Sequence, residues 1–212
     1  MQRIILCLLF LCLPLCVKAA SFSKEGEKAR QYAEALFYNA SSPIAGNPKG
    51  QVILVEFLDY QCPYCVVMSS DIDALIQHNP NLRVVYKELA VHGDVSDFAA
   101  KAVLAANRQG KFLALHRALM KTKQRPLSVE GILAMAKANG LDVNRLQADI
   151  ESPEVQNIMR DDLALADNLG VEGTPTFYIA KTSGKNGKSI GPILYVYGAR
   201  SEEALQEMIR LK

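Results

Sequence analysis

The stretch 51–59, QVILVEFLD, is apolar at both odd and even positions, and Cys62-Pro63-Tyr64-Cys65 follows it almost at once. A strand that alternates side chains between two faces, and is apolar on both, has to be covered on both; this is the pattern of a central, largely parallel strand in a layered α/β fold. Pro63 has no N–H to lose in a first helical turn and presets φ for it, so a helix starts at the first cysteine. One carboxylate, Glu56, interrupts the apolar run, where burial is costly.

Around this unit the pattern is regular. Ala29, Tyr32, Ala33, Leu36 and Phe37 fall at helical spacing, which predicts one short helix over 24–39, with Ser41-Ser42-Pro43 and Gly46-Asn47-Pro48 breaking the pattern after it. The helix that opens at Cys62 runs to His78, before Asn79-Pro80, and 82–89 (LRVVYKEL) is the next strand. Between Asp94 and Leu169 the stop and start signals at 107–110, Pro126 with Ser128, Asn139-Gly140, Ser152-Pro153 and Gly170 divide one block into five helices. A strand at 176–180, an exposed turn over 182–191, an antiparallel partner at 193–197 and a helix over 202–211 capped by Ser201 complete the order.

Half of the 212 residues are hydrophobic, enough for one well-buried domain. The 24 basic and 22 acidic side chains nearly balance, which gives no reason to expect nucleic acid or an anionic membrane as main partner. Arg3, the apolar run 4–17 and Val17-Lys18-Ala19 have the layout of a signal peptide over residues 1–19, with an apolar run too short to span a bilayer. Leu15 stands before Cys16 where a lipoprotein signal would carry small residues. Cleavage after Ala19 removes Cys7, Cys12 and Cys16 and leaves Cys62 and Cys65. A bridge between them closes almost no loop, so its value is chemical rather than structural.

Cys62 faces the unpaired N–H groups of a helix N-terminus, which favour thiolate and make it the attacking sulfur, while Cys65 is tucked inside as resolver. A half metal site is the competing reading. Two thiols lack two further ligands, and His78, His92 and His116 show no zinc-type spacing, so no metal is expected. His92 is expected as a solvated loop histidine and Lys87 and Glu88 as strand-end surface charges. Tyr64 shapes the surface beside Cys62, and Phe57, Leu58 and Tyr60 are candidates for an apolar rim.

A strand, Cys-Pro-Tyr-Cys at a helix start, and Gly173-Thr174-Pro175 ahead of a second strand resemble the DsbA-like branch of the thioredoxin superfamily. The resemblance covers nearly the whole mature chain. It implies a thioredoxin fold with a helical-domain insertion: residues 20–50 an N-terminal helix and linker, 51–93 the first half of the fold, 94–170 the insertion, and 171–212 the second half, where Tyr197-Gly198-Ala199 is similar to the family's last strand and turn. It further implies that Pro175 is a cis-proline beside the sulfurs and that Thr174, with Pro63 and Tyr64, meets an extended substrate. Glu56 stands where thioredoxin-like proteins carry a buried acid that takes and returns the proton of Cys65.

The catalytic set is then Cys62, Cys65 and Glu56, with no cofactor beyond the redox-active Cys62–Cys65 disulfide. The expected function is an exported, periplasmic oxidoreductase that forms disulfides in unfolded or newly exported cysteine-containing proteins and exchanges electrons with a membrane partner, a DsbB-like oxidant or a DsbD-like reductant. Pro63-Tyr64 and Thr174 look instead like DsbG and ScsC types, which keeps an isomerase or reductase as the alternative. The helix in 24–39 is a candidate for homo-oligomer contacts, although packing on its own domain is the simpler reading. A non-catalytic binding module or surface antigen fits poorly with retention of both cysteines, Glu56 and Pro175; a glutaredoxin fits poorly with the length and the helical block.

Overall fold

The computed structural model describes residues 23–183 and 189–210. The expected leader 1–19 lies outside them, with Cys7, Cys12 and Cys16, as do residues 184–188 of the expected turn and Leu211.

The chain runs α1 (Lys24–Gln31), α2 (Ala33–Phe37), β1 (Ile44–Gly46), β2 (Val52–Leu58), α3 (Pro63–His78) and β3 (Leu82–Glu88). There follow α4 (Asp94–Asn107), α5 (Phe112–Lys121), α6 (Val129–Ala138), α7 (Val143–Ile150) and α8 (Pro153–Leu169), then β4 (Thr176–Ser183), β5 (Ser189–Ile190), β6 (Leu194–Tyr197) and α9 (Glu202–Arg210). The strands form one mixed sheet in the order β1-β3-β2-β4-β5, with β6 also on β4. β2 and β3 are parallel; β4 runs antiparallel to β2, β6 antiparallel to β4, and β1 antiparallel to β3. This is the α/β fold of thioredoxin with a helical insertion that the sequence led us to expect.

β2 sits at the centre, and its continuous apolar run is explained by two cores. Ile53, Val55 and Phe57 pack with Ala29, Leu36, Phe37, Leu165 and Leu169 from α1, α2 and α8. Leu54 and Leu58 point the other way, into the larger core with Met68, Ile72 and Leu75 of α3 and the buried residues of α4 to α7. Glu56 shares the parity of Leu54 and Leu58, so it faces the layer that contains α3 and Cys65.

The insertion helices are fixed by local chemistry. Ser128, Asp142 and Ser152 each accept a hydrogen bond from the main-chain N–H three residues on, and Gly170 ends α8 in the left-handed conformation with φ 73°.

Several expectations need correcting. The helix expected over 24–39 is two, broken at Tyr32 (φ −108°, ψ 17°), and the break lets Leu36 and Phe37 reach the core that Ala29 also enters. Residues 44–46, expected as a break, form edge strand β1 on β3. Lys87 and Glu88 are not surface charges: each is 1% exposed, because α8 covers the end of β3. Phe57, Leu58 and Tyr60 are fully buried and form no rim.

Candidate active site

The site lies at the edge where β2 and β3 end and β4 begins. Leaving β2, the chain turns through Asp59, whose carbonyl accepts the Cys62 N–H at 3.2 Å, and Cys62 becomes the N-cap of α3 with Pro63 next. Opposite, the Thr174–Pro175 peptide is cis, and the Thr174 carbonyl oxygen lies 3.2 Å from Cys62 Sγ. Cys62, Cys65, Glu56, Thr174, Pro175, Pro63 and Tyr64 thus belong to one neighbourhood. Cys62 is less open than the sequence led us to expect, at 3% exposure, since the Thr174 segment covers it; Cys65 is wholly buried. Pro63 is exposed, and Tyr64 is 65% exposed.

The two sulfurs are made chemically unequal. The Cys62 thiol is lowered to about 5, first by a hydrogen bond from Cys65 and, against the cost of burial, by the Thr174 hydroxyl and the main-chain N–H groups of Cys65 and Tyr64. The Thr174 hydroxyl is buried beside the sulfur with no other hydrogen-bond partner, which leaves it free to serve a thiolate. Cys65 is pushed far above the ordinary thiol range, by the proton it shares with Cys62, then by burial and by the negative charge of Glu56. Glu56, 3% exposed, is raised to about 8 by burial and then by the Cys62 charge. At neutral pH the arrangement holds a thiolate at Cys62, a thiol at Cys65 and a proton on Glu56.

Asp59, which the sequence reading passed over, organises the turn. Its carboxylate accepts from Gln61 N at 2.7 Å, from Val91 N at 2.7 Å, from His92 N and Nδ1 at 3.0 Å each, and from the Ser96 hydroxyl. Burial alone would raise this acid, yet the hydrogen bonds from Ser96, Gln61, His92 and Val91 hold it below the usual carboxylate range. His92 is therefore tethered at 44% side-chain exposure rather than freely solvated. The sign available in the sequence was a carboxylate closing an apolar strand. A second missed group lies beneath it: the Tyr60 hydroxyl lies 3.0 Å from His116 Nδ1 and 3.4 Å from Glu88 Oε1, all buried. A second cis peptide, Arg125–Pro126, was also unforeseen. Among the described residues no group of three or more His, Cys, Asp or Glu could hold a metal ion.

Exposed apolar side chains gather at the same edge. Tyr64 and Val67 (66%) lie on the first turns of α3, Val91 (53%) follows β3, and Tyr197 (53%) pairs with Thr176 beside Pro175. These take the place of the rim that Phe57, Leu58 and Tyr60 do not form.

A family model described as a DSBA-like thioredoxin domain matches residues 53–210. A thioredoxin-like oxidoreductase from Silicibacter pomeroyi DSS-3 is similar in structure, with TM-score 0.73 and 38% identity over 84% of this chain and 95% of that one. The thiol-disulfide exchange protein α-DsbA2 from Wolbachia pipientis gives TM-score 0.76 and 26% identity over 88% and 95%. Among curated proteins, the Na(+)/H(+) antiporter NhaA of Herminiimonas arsenicoxydans is 36% identical over 137 residues, 64% of this chain. The chain spans only 22% of that protein's length, and among the described residues no helix is long and apolar enough to cross a membrane.

Proposed function

The chain belongs to the DSBA-like thioredoxin domain family, and on that premise we propose that it is an exported, periplasmic protein-disulfide oxidase. A substrate thiolate attacks Cys62 of the Cys62–Cys65 disulfide; that bond breaks, a substrate–Cys62 disulfide forms, and Cys65 leaves with the proton that Glu56 held. A second substrate thiolate then attacks the substrate sulfur of the mixed disulfide and expels Cys62 as thiolate. The substrate is oxidised by two electrons and the Cys62–Cys65 pair reduced; a DsbB-like membrane oxidant restores the disulfide.

The observation that carries this reading is the placement of Cys62 at the N-cap of α3, where the first-turn N–H groups help to lower its thiol pKa to about 5. A thiol that acidic is a good leaving group and stabilises the reduced protein, which is what makes a dithiol pair an oxidant. Tyr64, Val67, Val91 and Tyr197 suit the apolar segments of unfolded cysteine-containing proteins. The alternative, a reductase or isomerase of DsbG or ScsC type, draws on Pro63-Tyr64 and Thr174. It also leans on oligomerisation, and here α1 packs on its own domain: Ala29 is fully buried, and Arg30 holds the carbonyls of Ile190 and Gly191 at 3.1 and 3.2 Å. Equilibration of the Cys62–Cys65 pair with glutathione buffers decides between the two. The oxidase reading expects a pair that stays reduced in buffers that oxidise thioredoxin; equilibrium at the reducing end of the family's range would transfer the protein to the alternative. Cys62→Ser should abolish thiol transfer to a reduced peptide while leaving the fold intact.

A further inference from the structure

The segment that delivers the chain to Cys62 is tied to the helical insertion at three points. Gln61 Oε1 accepts the Leu127 N–H at 3.0 Å, the Tyr60 carbonyl accepts from Arg125 Nη1 at 2.5 Å, and the Tyr60 hydroxyl lies 3.0 Å from His116 Nδ1. Arg125 also donates from Nη2 to the Leu119 carbonyl at 2.6 Å, in the last turn of α5. One guanidinium fork therefore bridges a carbonyl left open by the end of a helix and a carbonyl of the active-site turn. Leu127, 5% exposed, anchors the connection between α5 and α6 in the larger core, so the N–H that Gln61 grips and the residue that carries the fork, Arg125, both belong to a segment held in place. From the opposite side Asp59 holds Gln61 N and, through Ser96, the start of α4.

None of these groups touches a sulfur, and a charge placed only for solubility would not spend both terminal nitrogens on main-chain oxygens. We propose that the α5–α6 connection is a clamp on the active-site turn, with Gln61 and Arg125 as positioning residues that keep the first-turn N–H groups of α3 aimed at Cys62. The hydrogen bonds that stabilise the thiolate depend on how the chain enters the helix, and the clamp fixes the two residues immediately before it. This inference rests on the thiol-exchange reading and assigns the insertion a part in it: the helical block sets the reactivity of the sulfur as well as covering the sheet.

Gln61→Ala is the decisive variant because it removes one tie without changing any charge. Arg125→Lys is the second: it keeps the positive charge and loses the planar fork. The readout is the ultraviolet absorbance of the Cys62 thiolate titrated against pH in the reduced full chain, with near-ultraviolet circular dichroism confirming native packing and urea unfolding measured alongside. Both variants should weaken the acidity constant of Cys62 about tenfold, roughly one pKa unit, and make the disulfide less oxidising. Wild-type acidity and potential in Gln61→Ala, with only a lower urea midpoint, would overturn the inference and leave the clamp as a packing feature. Failure of the parent reading looks different: there the wild-type thiol itself would titrate in the ordinary range.

Discussion

Glu56 is protonated in the folded protein near neutrality, since burial and the Cys62 charge raise it from 4.5 to about 8. A group raised on folding contributes stability that is fully present below the unfolded value and is lost as pH rises through the folded one, here across the window from 4.5 to about 8. Glu56→Gln keeps the shape of the neutral acid and has no proton to lose. The variant should be more stable than the parent above pH 8 by a few kcal/mol, an order-of-magnitude figure from linkage, with the two curves converging at acid pH; urea midpoints of the reduced proteins across pH measure this. Formation of the mixed disulfide at Cys62, the step in which Cys65 leaves with the Glu56 proton, should slow about a hundredfold near neutrality, the low end for loss of a general acid-base group, and identical pH profiles would remove Glu56 from the mechanism. Glu56 was legible in the sequence because a lone carboxylate in an apolar strand has few explanations. Lys87 and Glu88 were not, since two polar residues closing a strand look like a solvated end, and the residue that buries them, Asp162, stands 75 positions further on.

At the scale of elements, that contact staples α8 to β3. Lys87 Nζ lies 2.9 Å from Asp162 Oδ1 and 2.8 Å from Ser42 Oγ, and Asp162 Oδ2 accepts the Glu88 N–H at 3.0 Å. Both charged side chains are 1% exposed. Attraction between buried charges roughly offsets the cost of desolvating them, so the pair matters chiefly because neither member tolerates losing the other. Lys87→Met should cost about 3–5 kcal/mol, whereas Lys87→Met combined with Asp162→Leu should recover most of it. Equal losses for the single and double variants in urea titrations would mean that methylene packing, not charge pairing, holds the helix. The same scale marks where sequence patterns suffice. β2, α3, β3 and the five insertion helices were readable because each carries its own periodicity, cap or breaker. β1 is three residues long and exists only through its ladder to β3, and the bend at Tyr32 depends on where α2 must send Leu36 and Phe37. Asp59 was passed over for a related reason, since four of its five donors come from beyond the next helix.

For the molecule as a whole, the acidity of Cys62 and the direction of electron flow are one quantity. The thiol falls from 9.0 to about 5 on folding, and a group depressed in this way contributes stability that is full above the unfolded value and lost as pH falls through the folded one. The contribution belongs to the reduced protein alone, because the disulfide has no thiol to ionise. Against it stands the entropy a disulfide removes from the unfolded chain, which is small for a bridge spanning only Pro63 and Tyr64. The reduced protein should therefore unfold at higher urea than the oxidised protein at neutral pH, and the gap should narrow as pH falls through 5, the thiol's folded value. By the thermodynamic cycle linking folding to reduction, a fold that prefers its dithiol is a fold that drives its disulfide onto others. If the oxidised form were instead the more stable at neutral pH, the folded pair would hold its disulfide more tightly than an unfolded chain does; the oxidase reading would fail, and Cys62 would act by attacking disulfides made elsewhere.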